Sequence, residues 1–408
     1  MLAYLEKKRK LWYVLNIMSI SKINFSDYWL ERGVDKIYPS REDLDKFLDS
    51  GQKLKIYFGI DPTGNTLHIG HGTILLKLKE LQKAGHEVII LIGDFTAMIG
   101  DPTGKLSSRL KLSSEEIKNN YKNYTNQIGQ ILDLNNTKFE FNSAWLNKLN
   151  FGDIIEIASE FTTAQMLERD MFEERIKKGE PIFIHEFLYP LMQGYDSVAM
   201  GVNAEIGASD QTFNMLFGRT MLKKKGQEKF VITTKLLIDS NGKKMGKTEG
   251  NMVTLEDTPE DMYGKIMSWS DDLMPLAFEI CTSTPVEEVK EILAKNPRDA
   301  KMKLAKEIVA TFKSVAEADQ AEQDFIKKFQ QKDIPEIIEE INISSGTLLR
   351  DILVDKNIIE SKSEFRRLIE SGAITTLPLK EKILDADTVI TETTILKIGK
   401  KTFIKLMV

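Results

Sequence analysis

The chain reads as an α/β protein: a doubly wound parallel sheet, then an all-helical stretch, then a small separate α/β module. Three observations predict this. From about Lys55 short β-rich runs alternate with helical patterns, the arrangement of parallel strands joined by crossover helices. From Pro259 to about Gln331 the pattern turns helical throughout, with charged faces. After a polar, irregular stretch at 332–345, residues 346–408 carry their own mixed pattern.

Within the first part, KIYFGI (Lys55–Ile60) is a buried strand, HGTILLKLKELQKAG (His71–Gly85) an amphipathic helix ended by glycine, and EVIILIGD (Glu87–Asp94) the next strand. In doubly wound sheets ligands sit at the carboxyl ends of strands, where Tyr57–Thr63 and Asp94–Lys105 emerge. Ser113-x-x-Glu116 is a capping box opening a helix through roughly Leu132.

Bulk properties narrow the class. At 408 residues two or three domains are expected. No apolar run is long enough to span a bilayer, so no membrane partner is expected. A net charge of -5 excludes a uniformly basic nucleic-acid binder but leaves room for local basic patches. The single cysteine, Cys281, cannot form an internal disulfide, and no Cys/His cluster has zinc spacing. A reducing, cytoplasmic setting without a structural metal follows as the expectation. Residues 1–17 place Lys7, Lys8, Arg9 and Lys10 before a short apolar stretch but lack a small-residue cleavage site. They read as an extension without function or a misassigned start, with Met18 as the alternative beginning.

Four clusters and one short string carry chemistry. His68-Ile69-Gly70-His71 follows the first strand and begins a helix. Helix N-termini expose unpaired N–H groups and a partial positive charge, so the string suits a nucleotide phosphate, with Gly70 keeping the surface bare for a base or ribose. Alone it could equally be two surface histidines near a turn. Asp61-Pro62-Thr63 precedes it, and the Thr63 hydroxyl can reach a phosphate oxygen. Gly100-Asp101-Pro102-Thr103-Gly104-Lys105, with Arg109 beyond, offers a carboxylate for an ammonium group and cations for an anionic leaving group. Tyr189, Gln193 and Asp196 fall on one helix face, where a core should be apolar. Lys243-Lys244-Met245-Gly246-Lys247-Thr248 clusters cations around a glycine, suited to charge that grows on phosphates during reaction.

The tail differs in sign from the rest. Residues 341–408 hold eleven Lys and Arg against nine Asp and Glu, whereas the whole chain is acidic. Arg350, Lys362, Arg366 and Arg367 are expected on helices before a turn. Phosphate contacts to RNA are the functional reading, and a solvated helical face the bland one.

With these residues in view, the chain resembles the tyrosyl-tRNA synthetases of the bacterial and organellar type, from about Tyr57 through Val408. HIGH at His68–His71 and KMGKT at Lys244–Thr248 resemble the two signatures of class I aminoacyl-tRNA synthetases. The resemblance implies a Rossmann-like catalytic domain at 18–250, a helical anticodon-recognition domain at 251–331, a linker at 332–345, and at 346–408 an RNA-binding module of the ribosomal small-subunit protein type. It implies Tyr57 and Asp196 as the phenol-binding pair, and Asp101, Tyr189 and Gln193 as the ammonium site. Asp210 and Gln211 would contact the ribose and adenylate region, with Gly59, Asp61, Gly70, Ala208 and Met245 on the ATP side. Two departures stand out: Ala208 occupies a position where the family usually has glycine, and Gly246 replaces the serine of the general class I pattern.

The implied partners are L-tyrosine, ATP, tRNA-Tyr and a second copy of the chain in a homodimer, with Mg2+ held mainly through the ATP phosphates. Tyrosine activation needs no general base, because its carboxylate is already ionised and attacks the α-phosphate directly. Catalysis then rests on positioning and charge stabilisation. Thr63, His68 and His71 would be the fixed part, and Lys105, Arg109, Lys244, Lys247 and Thr248 the mobile part. A synthetase for tryptophan, a non-catalytic RNA-binding protein on the same scaffold and a generic nucleotidyl transferase compete with this reading. Tyr57 with Asp196 argues against the first and third, and the retained His68, His71, Lys244 and Lys247 against the second.

Overall fold

The computed structural model describes residues 29–101, 113–238, 252–327, 339–377, 382–399 and 402–408. The expected leader at 1–17 lies outside them. Two compact units divide at Ser314 and Val315.

The first unit is organised by a six-stranded sheet: β1 (Val34–Tyr38), β2 (Lys55–Ile60), β3 (Glu87–Ile92), β4 (Thr137–Phe141), β5 (Ala204–Ala208) and β6 (Phe230–Thr234). Their order is β1-β6-β5-β2-β3-β4. All neighbours are parallel except β1, which adds antiparallel to β6 at the edge. From β2 the chain builds outward through β3 and β4, then returns to lay β5 on the other side. The switch point is therefore the β2–β5 pair, where such sheets bind ligands. Pairing there is short: only Ile56 with Ala204 and Tyr57 with Glu205 are in register, whereas β2 and β3 pair from Lys55 to Ile60. The carboxyl ends of β2 and β5 are thus left apart.

The β2 run is buried at Ile56, Tyr57, Phe58 and Ile60, and β3 from Val88 through Ile92, as continuous apolar strands covered on both faces require. Helix α1 (Ile69–Lys83) lays Ile69, Ile74, Leu75, Leu78 and Leu81 inward. It starts two residues before the expected His71, because His68 serves as its N-cap. The capping box at Ser113 and Glu116 is present. The helix expected to run from it to Leu132 instead breaks at Asn123 into Ser114–Lys122 and Tyr124–Gly129. Helix α2 (Ile184–Met200) carries Pro190 within it and ends at Gly201 with φ 58°. Helix α3 (Thr212–Lys224) packs against α2.

The helices Pro259–Met267, Met274–Cys281, Val286–Leu293 and Pro297–Phe312 were expected to begin a separate domain at 251. They cluster instead with the sheet. Arg32 explains part of this: its guanidinium donates to the carbonyls of Phe278 (2.6 Å), Glu279 (2.8 Å) and Thr284 (2.7 Å). Gly72 of α1 leaves room for the Phe312 ring, which an added Cβ would meet at 2.6 Å. Cys281 is buried and free.

The second unit opens with the helix Val315–Phe325. A four-stranded sheet follows in the order β7 (Glu339–Asn342), β12 (Thr402–Met407), β11 (Thr394–Ile398), β9 (Ile374–Leu377), and β8 (Thr347–Leu348) pairs with β10 (Val389–Ile390). Helices α4 (Leu349–Asp355) and α5 (Lys362–Glu370) close a core of Leu349, Leu353, Phe365, Leu396 and Leu406. Residues 332–345, read as a linker, thus include a strand. β7 runs parallel to the remote β12, and short local polarity hid that pairing.

Candidate active site

Where β2 and β5 part, a cleft of about 350 Å³ opens, in the range of small-molecule sites (roughly 300–1,000 Å³). It is lined by Tyr57, Gly59, Asp61, Thr63, His68, Gly70, His71, Asp101, Tyr189, Gln193, Asp196, Ala208, Asp210 and Gln211. Every expected catalytic, tyrosine or ATP residue that lies among the described residues is therefore at this one cleft. Lys105, Arg109, Lys244, Met245, Lys247 and Thr248 lie outside them.

One end of the cleft is a set of buried polar groups. Tyr57 is 0% exposed and its hydroxyl lies 3.0 Å from Ser197 Oγ. Asp196 is 2% exposed and accepts from Trp145 Nε1 (2.7 Å) and Asn142 Nδ2 (3.3 Å). Burial raises the Asp196 carboxyl well above the ordinary carboxylate range, and these two donors oppose the shift. Burial also raises the Tyr57 and Tyr189 phenols, and the neighbouring carboxylates Glu205 and Asp61 add to this. Both tyrosines therefore stay protonated donors.

The expected ammonium site is rearranged in its partners. Tyr189 donates to Asp61 Oδ2 at 2.8 Å, and Thr96 donates to Asp61 Oδ1 at 2.7 Å. Asp101 accepts from Arg169 (3.0 Å) and from Gln211 Nε2 (2.6 Å). Gln193 donates to Glu205 at 3.2 Å. Asp61 and Gln211, expected on the nucleotide side, thus bond to members of the tyrosine side. Gly93 makes the Asp61 seat possible, since a Cβ there would meet Asp61 Oδ1 at 1.9 Å and Thr96 Oγ1 at 2.4 Å.

At the other end, the two histidines cap their own helix. The Gly70 N–H donates to His68 Nδ1 at 3.1 Å and the His68 N–H to His71 Nδ1 at 3.2 Å, with the rings 3.8 Å apart. An imidazole that accepts at Nδ1 carries its proton on Nε2, so both rings are set as Nε2–H donors. Gly70 has a further reason: an added Cβ would sit 3.0 Å from the His68 ring folded back over it. The loop with Thr63 is pinned from below. Asn120 donates to the Pro62 carbonyl (2.8 Å), Tyr124 to that of Gly64 (2.5 Å) and Gln127 to that of Asn65 (3.1 Å). Burial pushes the Tyr124 phenol up to about 12.

The chain just after the lysine motif returns to this end. Ile69 N–H donates to the Val253 carbonyl and Leu255 N–H to that of Leu67, both at 2.9 Å, and His68 bridges to Thr254. Val253 stands five residues past Thr248 in the chain. Ala208 ends β5 with φ -72° and ψ 156°. This is ordinary extended backbone, so alanine in place of the family glycine strains nothing there.

Several groups bonded to residues of the cleft escaped the sequence reading: Thr96, Asn142, Trp145, Arg169, Ser197, Glu205 and Lys229. Their partners are far away in the chain, and no local spacing announces them. In the second unit, Lys362 and Arg350 are tied to Asp351 at 3.0 and 3.4 Å, while Arg366 and Arg367 stand exposed on α5.

The family profile described as tRNA synthetases class I (W and Y) matches residues 49–330. The tyrosine--tRNA ligase of Carboxydothermus hydrogenoformans is 46% identical, over 93% of this chain and 96% of its own. That of Moorella thermoacetica is 44% identical, over 92% and 94%. Among solved structures, a C-terminally truncated mitochondrial tyrosyl-tRNA synthetase from Coccidioides posadasii superposes with a TM-score of 0.60 at 27% identity, covering 79% of this chain and 98% of that one. With a profile spanning most of its length and relatives aligned nearly end to end, this chain belongs to the class I tRNA synthetases of the tryptophan and tyrosine family.

Proposed function

We infer that the protein activates L-tyrosine with ATP, releasing pyrophosphate, and transfers the tyrosyl group to the terminal ribose of tRNA-Tyr. One observation carries the choice of tyrosine. Tyr57 and Asp196 place a phenol and a carboxylate side by side in a buried pocket that a substrate hydroxyl would complete. A substrate lacking the hydroxyl leaves these groups unpaired, at about 1–3 kcal/mol or more for a charged group. Tyrosine against phenylalanine in this same family is the standing example of that rule.

The tyrosine carboxylate attacks the α-phosphorus, the new C–O–P link forms, and the bond to the pyrophosphate oxygen breaks. No group need remove a proton. The Nε2–H donors of His68 and His71 and the hydroxyl of Thr63 are suited to negative charge on the phosphates, with the cations Lys105, Arg109, Lys244 and Lys247 and the hydroxyl of Thr248 completing the site. Asp101, Tyr189 and Gln193 would hold the ammonium group, with Asp61 bonded to Tyr189 beside them. Asp210 would meet the ribose, beside Gly59, Gly70 and Ala208. Mg2+ would enter with the ATP phosphates.

The helices between Pro259 and Phe325 and the module at 346–408 would receive tRNA, with Arg366 and Arg367 on phosphates. Phe151, Ile155 and Ile184 are large apolar side chains left 55–81% exposed, and they favour a homodimer as the working assembly. No helix of the described residues is long and apolar enough to cross a membrane, and the cytoplasm is the proposed location. Tyrosine-dependent exchange of labelled pyrophosphate into ATP tests the activity, with tryptophan and phenylalanine as controls. Exchange with tyrosine alone is expected; exchange with tryptophan instead would overturn the substrate assignment.

A further inference from the structure

Behind Tyr57 lies a buried cation that tyrosine activation as described above does not use. Lys229, 0% exposed, directly precedes β6. Its ammonium donates to Ser197 Oγ (2.7 Å), to the Met215 carbonyl (3.2 Å) and to Glu205 Oε2. All three of its protons thus have acceptors. Glu205 is in register with Tyr57 across β2 and β5, so the two side chains share a face of the sheet. The Lys229 ammonium also lies 5.5 Å from the centre of the Tyr57 ring. Two glycines make room where α2 and α3 cross. A Cβ at Gly218 would meet Ser197 Oγ at 2.5 Å and Lys229 Nζ at 2.7 Å, and one at Gly194 the backbone nitrogen of Gly218 at 3.1 Å.

The direction of each hydrogen bond follows from chemistry. An ammonium only donates, so Ser197 must accept from Lys229 and keeps its own proton to give. Among the described residues, the Tyr57 oxygen is the acceptor within reach of that proton. Tyr57, accepting from Ser197, must then donate its own proton elsewhere. In this structure Glu205, which also accepts from Lys229 and Gln193, takes that proton, and a substrate hydroxyl entering the pocket would take it over. Across the pocket Asp196 is already served by two N–H donors and, as a carboxylate, only accepts.

We propose that Lys229 and Ser197 are positioning residues that fix the polarity of a hydrogen-bond chain running from the Lys229 ammonium through Ser197 and Tyr57 to the substrate hydroxyl and on to Asp196. The chain selects a group that accepts from one side and donates to the other, which a phenol does. Phenylalanine does neither, and an aromatic amine donates but accepts poorly. The inference rests on the tyrosine reading of the pocket and deepens it.

The test is pyrophosphate exchange by the full-length chain with tyrosine, phenylalanine and 4-aminophenylalanine. Ser197→Ala deletes one hydroxyl and releases Tyr57 to turn. The expected result is a KM for tyrosine raised about tenfold, the value of roughly one neutral hydrogen bond, with KM for ATP and for phenylalanine unchanged. The preference for tyrosine over 4-aminophenylalanine should shrink as well, because a freed Tyr57 can accept from the amine. The double variant Lys229→Met with Glu205→Gln removes the buried pair together and should move the same ratios in the same direction; if it does not fold, Ser197→Ala decides alone. Tyrosine preferences that stay within about twofold of the parent, or equal losses toward ATP and all three amino acids, would overturn the proposal. A parent protein without tyrosine-dependent exchange would instead refute the substrate assignment.

Discussion

The two ends of the cleft are built by opposite means. The phenol end is made of side chains on regular elements: Tyr57 on β2, Asp196 and Ser197 on α2, Glu205 on β5, each at most 2% exposed and each bonded to another. The phosphate end is made of a loop and a helix start, where Thr63 is exposed and His68, Gly70 and His71 are half-buried. Choosing between amino acids differing by one hydroxyl calls for groups that cannot relax, which a close-packed interior provides. Following charge on a moving phosphate calls for donors near solvent at a helix start. Substitutions should therefore separate the ends: the first set by substrate preference and stability, the second by rate.

The largest expected effect breaks the phenol end from within. Glu205→Ala leaves the Lys229 ammonium buried without its partner, and should lower stability by about 3–5 kcal/mol, read as a drop in denaturant midpoint. Next, Asp196→Ala removes a charged acceptor and strands Trp145 Nε1. It should raise KM for tyrosine by about 100-fold, in line with the 1.5–3 kcal/mol of hydrogen bonds to charged groups, while KM for ATP holds. Equal loss in both would erase the division of labour.

At the phosphate end, His68→Ala should lower kcat by about 100-fold, the scale for one donor to a charged transition state, with KM for tyrosine unchanged. It also costs a helix cap of about 1 kcal/mol, so thermal unfolding should be measured alongside.

A pH titration sharpens the contrast further. Asp196 has its folded pKa raised, so the folded state holds this proton more tightly than the unfolded chain. This group's contribution to stability therefore falls as pH rises from the ordinary aspartate value through the raised one. Tyrosine, by donating to the carboxylate, favours the ionised form. Its affinity should weaken as pH drops through the raised value, by at most about tenfold per pH unit, and Asp196→Asn should abolish that slope.

Much of this contrast was legible in the chain, for identifiable reasons. The first and second apolar strands and the shared face of Tyr189, Gln193 and Asp196 follow from local periodicity, and the α2 geometry agrees with it. HIGH announced a helix start, yet the cause of Gly70 became visible only with the His68 ring folded over it. The Asp61 seat, the Asn142 and Trp145 donors and the Lys229 cation were hidden because each bond joins residues separated by 24 to 128 positions. For the same reason the strand β7 hid inside an expected linker, its partner β12 lying at the other end of the module.

The smallest effect concerns the C-terminal module. Arg366→Ala with Arg367→Ala should weaken tRNA binding and reduce its salt slope by about two, while tyrosine-dependent pyrophosphate exchange stays at the parent level. Loss of exchange would tie these arginines to the first step and contradict the proposed roles.

The central claim is that the phenol end chooses the amino acid while the histidine end drives the chemistry. It is tested most directly by measuring kcat and KM for tyrosine and for ATP in Asp196→Ala and His68→Ala, side by side in pyrophosphate exchange. The account predicts a tyrosine KM effect confined to the first and a kcat effect dominating the second. Both variants losing kcat with tyrosine KM unmoved would contradict it.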